Sequence, residues 1–265
     1  MMSAFRSSTG AGGRLYPTPQ AATLFEAVQR SFAGLDLLEQ AARRIRAHPV
    51  GTLRIAALPA LAAALLPPLL QRFRTEHPDV KVTVEAVGQR AIEERVFLGQ
   101  ADLGLGVAAA PRDGVRSSIL AHADYVCVLP QGHELARRNP IAIADLDGVE
   151  FIGPMHETDA LWNGIDQALR DAGVIVRRRL ESQSSFPVYA FVEAGLGVTI
   201  AEPFSAPLFS RLGVAIRRIE PCIGIDFALL EPDIGPSPAV VGLLREAVRQ
   251  AAESCLAEVA RLTEP

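Results

Sequence analysis

From Thr52 onward the chain alternates short apolar runs with helical periods, and this alternation constrains the fold more than any other feature. "TLRIAAL" (52–58) reads as a strand, "ALLPPLLQRFRTEHP" (64–78) as a helix, "VKVTVEAV" (80–87) as a strand, "AIEERVFLG" (91–99) as a helix and "ADLGLGV" (101–107) as a buried strand. A βαβαβ order implies a mostly parallel sheet covered on both faces, because parallel strands need crossover helices. "VRSSILA" and "DYVCVLP" are further strands, and Leu129-Pro130-Gln131-Gly132 marks a break. A second series follows, with strands "EFIGP", "RRRLESQ" and "GVTIAEP" separated by helices "ALWNGIDQALRDAG" and "FPVYAFVEAG". The tail, "VAIRRI", "IGIDFALLEP" and a long helix from about 238 to 262, exceeds what the second series needs, so the chain is expected to return to the first lobe. The expected architecture is α/β, with two Rossmann-like lobes joined by crossover segments near Pro130 and Pro203. Lobe 1 is expected at 51–129 and 204–265, and lobe 2 at 130–203. Ligands of such open sheets bind outside the carboxyl ends of the strands.

A long amphipathic helix precedes this α/β region. Thr18 is placed to act as N-cap with Pro19 at the first helical position, and Phe25, Val28, Phe32 and Leu35 follow at 3-4-3 spacing. Leu38, Ala42 and Ile45 continue the stripe, Arg43, Arg44 and Arg46 suit the negative end of the helix dipole, and His48-Pro49-Val50-Gly51 stops it. The stripe is close to a heptad seam and needs a partner, either its own domain or the same helix of a second subunit.

Composition limits the function classes. A formal net charge of -4 argues against a chain whose main surface is a nucleic-acid groove, so any DNA contact has to be local. Cys127, Cys222 and Cys255 are far apart and odd in number, without CxxC or zinc spacing, and read as reduced thiols of a cytoplasmic protein. The start, "MMSAFRSSTGAGG", lacks the continuous apolar core of a secretory signal. "ALPALAAALLPPLL" is interrupted by Pro59, Pro67 and Pro68 and falls short of a membrane span.

Enzyme signatures fail on spacing. "ADLGLGVAAA" has a GxG, but Ala109 stands where GxGxxG needs its third glycine, and no acidic residue follows at a suitable distance. His133-Glu134 and His156-Glu157 lack the second histidine of HExxH, and neither GxSxG nor a P-loop is present. No catalytic residue, metal ligand or cofactor is expected, and the chain reads as a non-enzyme.

Binding residues are sought at strand ends and helix starts. Leu58, Pro59 and Ala60 end the first strand and open a helix, where free N–H groups meet an anionic group; the alternative is a Pro-fixed turn with no ligand role. Ser182, Gln183, Ser184 and Ser185 end a second-lobe strand. One serine serves as N-cap, but four polar side chains exceed what one cap needs, and Ser184 or Ser185 is the expected contact for the ligand's polar end. "GPMHETDA" (153–160) ends another strand at the same edge, with Thr158 or Asp159 capping the next helix and His156 either reading the ligand or lying in a solvated loop. Glu202 sits at the second crossover, as the partner of an amino group or as an exposed hinge residue. Asp102, at the amino end of its strand, is expected to satisfy nearby backbone or a neighbouring helix and is left out of the site. The Arg177-Arg178-Arg179 run and Arg217-Arg218 read as solvated faces.

"GGRLYPT", then "GTLRIAALPALAAALLPPLLQRFRTEHPDVKVTV", "LGQADLGLGV" and "VEAGLGVTIAEP", occur in an order and spacing that resembles the LysR-type transcriptional regulators from about Gly12 onward. "LPALA" and "GRLYPTPQA" look closest to regulators of amino-acid and opine catabolism. The resemblance implies a type 2 periplasmic-binding-protein-like effector domain behind a linker helix that pairs in a homodimer or tetramer. It makes 18–48 the linker helix, 58–60 one wall of the effector site, and 1–17 a remnant of a winged helix-turn-helix, disordered in part. Family members carry roughly sixty residues of helix-turn-helix upstream, and Met1 to Gly13 is too short and Gly/Ser-rich to supply a recognition helix, so DNA contact is expected only through that missing part. The implied function is effector sensing by a transcriptional regulator. A stand-alone solute-binding protein of a transporter is the alternative, and it requires a secretory signal or lipid anchor and no pairing helix.

Overall fold

The computed structural model describes residues 8–11, 14–18, 21, 28, 52–155, 160–233 and 239–264. The chain divides into two compact units, Met1–Pro49 and Val50–Pro265. In the first, strands β1 (Ser8–Ala11) and β2 (Arg14–Pro17) pair antiparallel in the segment read as the wing remnant. Thr18 takes the expected capping role, its Oγ1 accepting from the Ala21 N–H at 3.1 Å. Val28 is 40% exposed. The other stripe residues, Phe25, Phe32 and Leu35, lie outside the described residues.

The second unit opens with β3 (Thr52–Ala57), whose exit Leu58-Pro59 starts the short helix α1 (Pro59–Ala64) with proline at the first position, where a missing N–H costs nothing. Helix α2 (Leu66–Glu76) buries Leu66, Leu69 and Phe73 at helical spacing. After β4 (Lys81–Ala86), α3 (Gln89–Phe97) buries Ile92 and Val96 and leads into β5 (Leu103–Val107), which is buried throughout. As predicted, β3, β4 and β5 are parallel. Asp102 holds the start of β5, its carboxylate accepting from the Arg54 N–H at 2.8 Å and from the Arg54 guanidinium at 3.2 Å. The long strand β6 (Val115–Asp124) completes the first-lobe segment.

The second lobe contains β7 (Val126–Pro130), β8 (Ile141–Ala142), β9 (Glu150–Pro154), α4 (Ala160–Asp171), β10 (Arg177–Ser182), α5 (Ser185–Glu193), β11 (Thr199–Ala201), α6 (Ala206–Ser210) and β12 (Val214–Glu220). The chain then returns through β13 (Gly224–Pro232) and ends in α7 (Ala239–Leu262). The first sheet has the order β4-β3-β5-β13-β6 and the second β11-β7-β12-β8, with β9 and β10 paired in parallel. Ile152 N–H donates to Val198 O at 2.8 Å and Val198 N–H to Glu150 O at 2.9 Å, so β9 also runs alongside the entry to β11. Gly197 permits this approach: its φ is +154°, and a Cβ there would stand 2.8 Å from the Glu150 carbonyl oxygen.

The lobe boundaries differ from those expected. β7 and β12, assigned to the first lobe from their order in the chain, pair with each other and with β11 in the second sheet. Pro130 and Pro203 therefore lie inside the second lobe, and the chain crosses at Tyr125 and again between Glu220 and Gly224. β7 is short and apolar, β12 sets apolar residues beside Arg217, Arg218 and Glu220, and neither pattern carries a local mark of which sheet the strand joins. Helix α7 adds a further link. Val241, Leu244, Val248 and Ala252 enter the larger apolar core with the first sheet, whereas Val259 joins the smaller core around Val188, Tyr189 and Phe209. At its end, Asn139 Nδ2 donates to the Thr263 carbonyl at 2.7 Å.

Candidate functional site

The parallel strands of each lobe end at one edge. In the first lobe β3, β4 and β5 deliver Leu58, Val87 and Ala108 to the same side of the sheet. In the second, Ser182 is in register with Pro154, and the parallel bridge between Phe151 and Val198 brings the end of β11 to that edge. Helix α1 of the first lobe packs against both α5 and the Pro203–Ser205 turn of the second. The structure thus sets α1, opened by Pro59 and Ala60, against α5, opened by Ser185, and against the turn that Glu202 caps. His156 and Thr158 lie outside the described residues.

The residues at this junction are unequal in what they offer a ligand. Leu58 is buried, and its N–H already donates to the Leu105 carbonyl at 2.9 Å. Pro59 has no N–H, so the donors left free by the first turn of α1 are the amides of Ala60 and Leu61. Ser182 is engaged locally: its Oγ donates to the Ser184 carbonyl at 2.9 Å and accepts from the Ser184 N–H at 3.3 Å. Ser184 occupies the N-cap position of α5 without a side-chain capping bond. Ser185 opens the helix and is buried, and Gln183 is exposed.

Glu202 departs from the exposed hinge residue held open as an alternative. It is only 2% exposed, its Oε1 accepts from Ser205 Oγ at 2.5 Å and its Oε2 from the Ser205 N–H at 3.2 Å, while its own carbonyl accepts from Tyr189 Oη at 2.5 Å. Burial pushes its carboxyl pKa up to about 7, although the Ser205 and Phe204 hydrogen bonds pull it down. Nearby Cys127 and Cys255 are pushed up to about 12 by burial, which makes them poor thiolates at neutral pH. Among the described residues no cluster of His, Cys, Asp or Glu is placed to hold a metal ion, and no helix is long and apolar enough to cross a membrane.

Gln89 is a residue of this edge that sequence reasoning missed. Its Oε1 accepts from the Val107 N–H at 2.9 Å and its Nε2 donates to the Val107 carbonyl at 3.2 Å and to Glu93 Oε1 at 2.8 Å. Once β3 has turned away into α1, this side chain satisfies the last backbone groups of β5, in the crevice between the first strand and its neighbour. A Cβ on Gly106 would lie 2.3 Å from Gln89 Oε1, so only glycine leaves room for the bond. The signal was present in "VGQR", a polar side chain opening a helix straight after a parallel strand, as in "SQSS".

Residues 46–253 match the family described as the LysR substrate binding domain. The chain is 35% identical over 229 residues to the transcriptional activator protein LysR of Escherichia coli, covering 86% of this chain and 73% of that protein. It is 33% identical over 222 residues to the octopine catabolism/uptake operon regulatory protein OccR of Rhizobium meliloti, covering 83% and 71%. Among solved structures, an OxyR C206 mutant of Corynebacterium glutamicum superposes with a TM-score of 0.67 at 18% identity over 96% of this chain and 81% of that one, a likeness of fold.

Proposed function

This chain belongs to the LysR family of transcriptional regulators and carries its effector-binding domain, of the type 2 periplasmic-binding-protein-like fold; from that premise we propose that it senses a small amino acid or amino-acid derivative, opines included, held between its lobes. The observation that carries this reading is the meeting of two sets of strand ends, with the free amides of α1 from one lobe packed beside α5, where Ser184 and Ser185 stand, from the other. A zwitterionic ligand fits such a junction, its carboxylate on the amides and its polar end on the serines. A ligand that touches both lobes favours the closed form by its differential affinity, and the response passes to the linker helix, 18–48, of a homodimer or tetramer. DNA contact belongs to a winged helix-turn-helix, to whose last wing strand and exit "GRLYPT" is similar. The relatives are regulators, which disfavours both a transporter's solute-binding protein and an enzyme.

The test is calorimetry of the purified chain against amino acids, opines such as octopine, aromatic acids and sugar acids, preceded by mass spectrometry of metabolites that co-purify. Saturable binding of a member of the amino-acid and opine set supports the proposal. Tight binding of an aromatic acid, with none from that set, overturns the ligand class.

A further inference from the structure

At the junction, the carboxyl of Glu202 has no counter-charge among the described residues. Glu202 is buried, and its carboxylate meets only neutral donors, the Ser205 hydroxyl and the amides of the turn that it caps. The elements packed on that turn bring no cation to the carboxyl among the described residues. α5 contributes Tyr189, α7 contributes Cys255, and Cys127 of β7 stands close enough to act on Tyr189. Residues 59–64 of α1, "PALAAA", and 206–210 of α6, "APLFS", contribute no titratable side chain. Among the basic side chains nearby, Arg211 pairs with Glu258, Arg245 with Glu231, Arg249 reaches Ser118, and Arg217, close enough to act on Cys127, donates to the Ala136 and Ile216 carbonyls; Arg72 and His77 line a cavity with Phe204 and Cys255, but no cation acts on the Glu202 carboxyl. Among the described residues Glu202 thus has no ion-pair partner, and an isolated buried carboxylate is costly unless it is neutralised or paired.

Its placement says where a partner comes from. Glu202 follows the last residue of β11, at the strand edge shared with Ser182 and Pro154, and the turn it caps packs directly against α1 of the opposite lobe. We infer that Glu202 is the counter-charge for an ammonium or guanidinium group on the effector, so that the cleft selects a cationic amino-acid derivative over its neutral isostere and releases a proton on binding it. This rests on the proposed effector-sensing function. The raised pKa of the carboxyl agrees with it: at neutral pH the free protein holds a proton there in part, and an incoming cation favours the ionised form. Because the same carboxylate caps the turn that touches α1, pairing acts on the lobe contact itself.

L-arginine and L-citrulline, and octopine as a second cationic probe, separate charge from shape. In calorimetry at pH 7 in two buffers of different ionisation enthalpy, arginine or octopine is expected to bind at least tenfold tighter than citrulline, with net proton release that vanishes above about pH 8.5. In Glu202→Gln, whose amide oxygen still caps the turn, the preference and the proton release are expected to disappear while citrulline binding persists. Should that variant fail to fold, Ser205→Ala keeps the carboxylate but removes a donor that stabilises its ionised form, and the pH at which the preference appears is expected to move upward. Equal affinity for arginine and citrulline, or a preference that survives Glu202→Gln, overturns the inference. Binding of neutral or anionic members of the wider panel alone, unchanged in Glu202→Gln, overturns the charge assignment and leaves effector sensing standing. Absence of binding by any panel compound overturns both.

Discussion

The backbone N–H of Tyr125 donates to the carbonyl of Ile223 at 2.9 Å, tying together the two segments that pass between the lobes. The first crossing is the single residue between β6 and β7, and the second lies just before β13. The two short crossings thus lie side by side, and α7 contributes side chains to both apolar cores.

Ser184→Ala combined with Ser185→Ala is expected to weaken effector binding by roughly 1 to 3 kcal/mol, the usual cost of leaving a buried polar partner unsatisfied. Neither hydroxyl has a structural hydrogen bond to another described residue, so the thermal midpoint of the free protein should stay nearly unchanged. Calorimetry with a compound from the amino-acid panel and a thermal melt together check this; a collapsed fold refutes it.

Stability should depend on pH through Glu202. Its folded pKa, about 7, lies above the ordinary value of 4.5, so the folded state holds a proton that the unfolded chain releases between those values. The contribution is fully present below pH 4.5 and is lost as the pH rises through 7. Glu202→Gln should flatten this slope, with a difference on the order of 3 kcal/mol in favour of the variant at pH 8. Urea melts from pH 5 to 8 measure it, and parallel curves for the two proteins count against a buried, uncompensated carboxylate.

Gln89→Ala removes both partners of the Val107 backbone and should cost about 1 to 3 kcal/mol. Gly106→Ala should disturb the same bond, because the new methyl group meets the amide oxygen. Both changes act on one interaction, so the double variant should fall well short of the sum. Chemical denaturation of the three variants gives the comparison, and strict additivity contradicts a shared bond.

Self-association through the linker helix is tested by Phe25→Asp with Phe32→Asp. An apolar stripe facing a second copy predicts a fall in sedimentation mass, since two carboxylates in a pairing seam repel and desolvate poorly. An unchanged mass rules out that helix as the seam.

Much of the site was legible because its logic is local. A parallel strand followed by Pro59, or by the serines before α5, announces a helix start at a carboxyl edge whatever the rest of the chain does, and Asp102 at the amino end of β5 announced a backbone role, which its bond to Arg54 fulfils. Gln89 was passed over because its partner, Val107, lies eighteen residues away and is exposed only where β3 leaves the sheet. Glu202 was expected at the second crossover but lies within the second lobe, and its burial is set by Tyr189, the turn it caps and the α1 packing, none of which is adjacent in a helical or strand period.

The sequence by itself determined the order of strands and helices, the two α/β series, the strand edge that carries the candidate site and the family resemblance, because periodicity and helix-start chemistry act over a few residues. Only the tertiary structure decided which sheet β7 and β12 join and hence where the chain crosses between the lobes. Strands of this length look alike locally, and their membership follows from pairing with residues distant in the chain, as in the register of Val214 with Pro130. The electrostatic character of Glu202 was decided in the same way: a carboxylate's charge state depends on how much water the packing of distant segments removes from it, and on whether that packing supplies a cation in return.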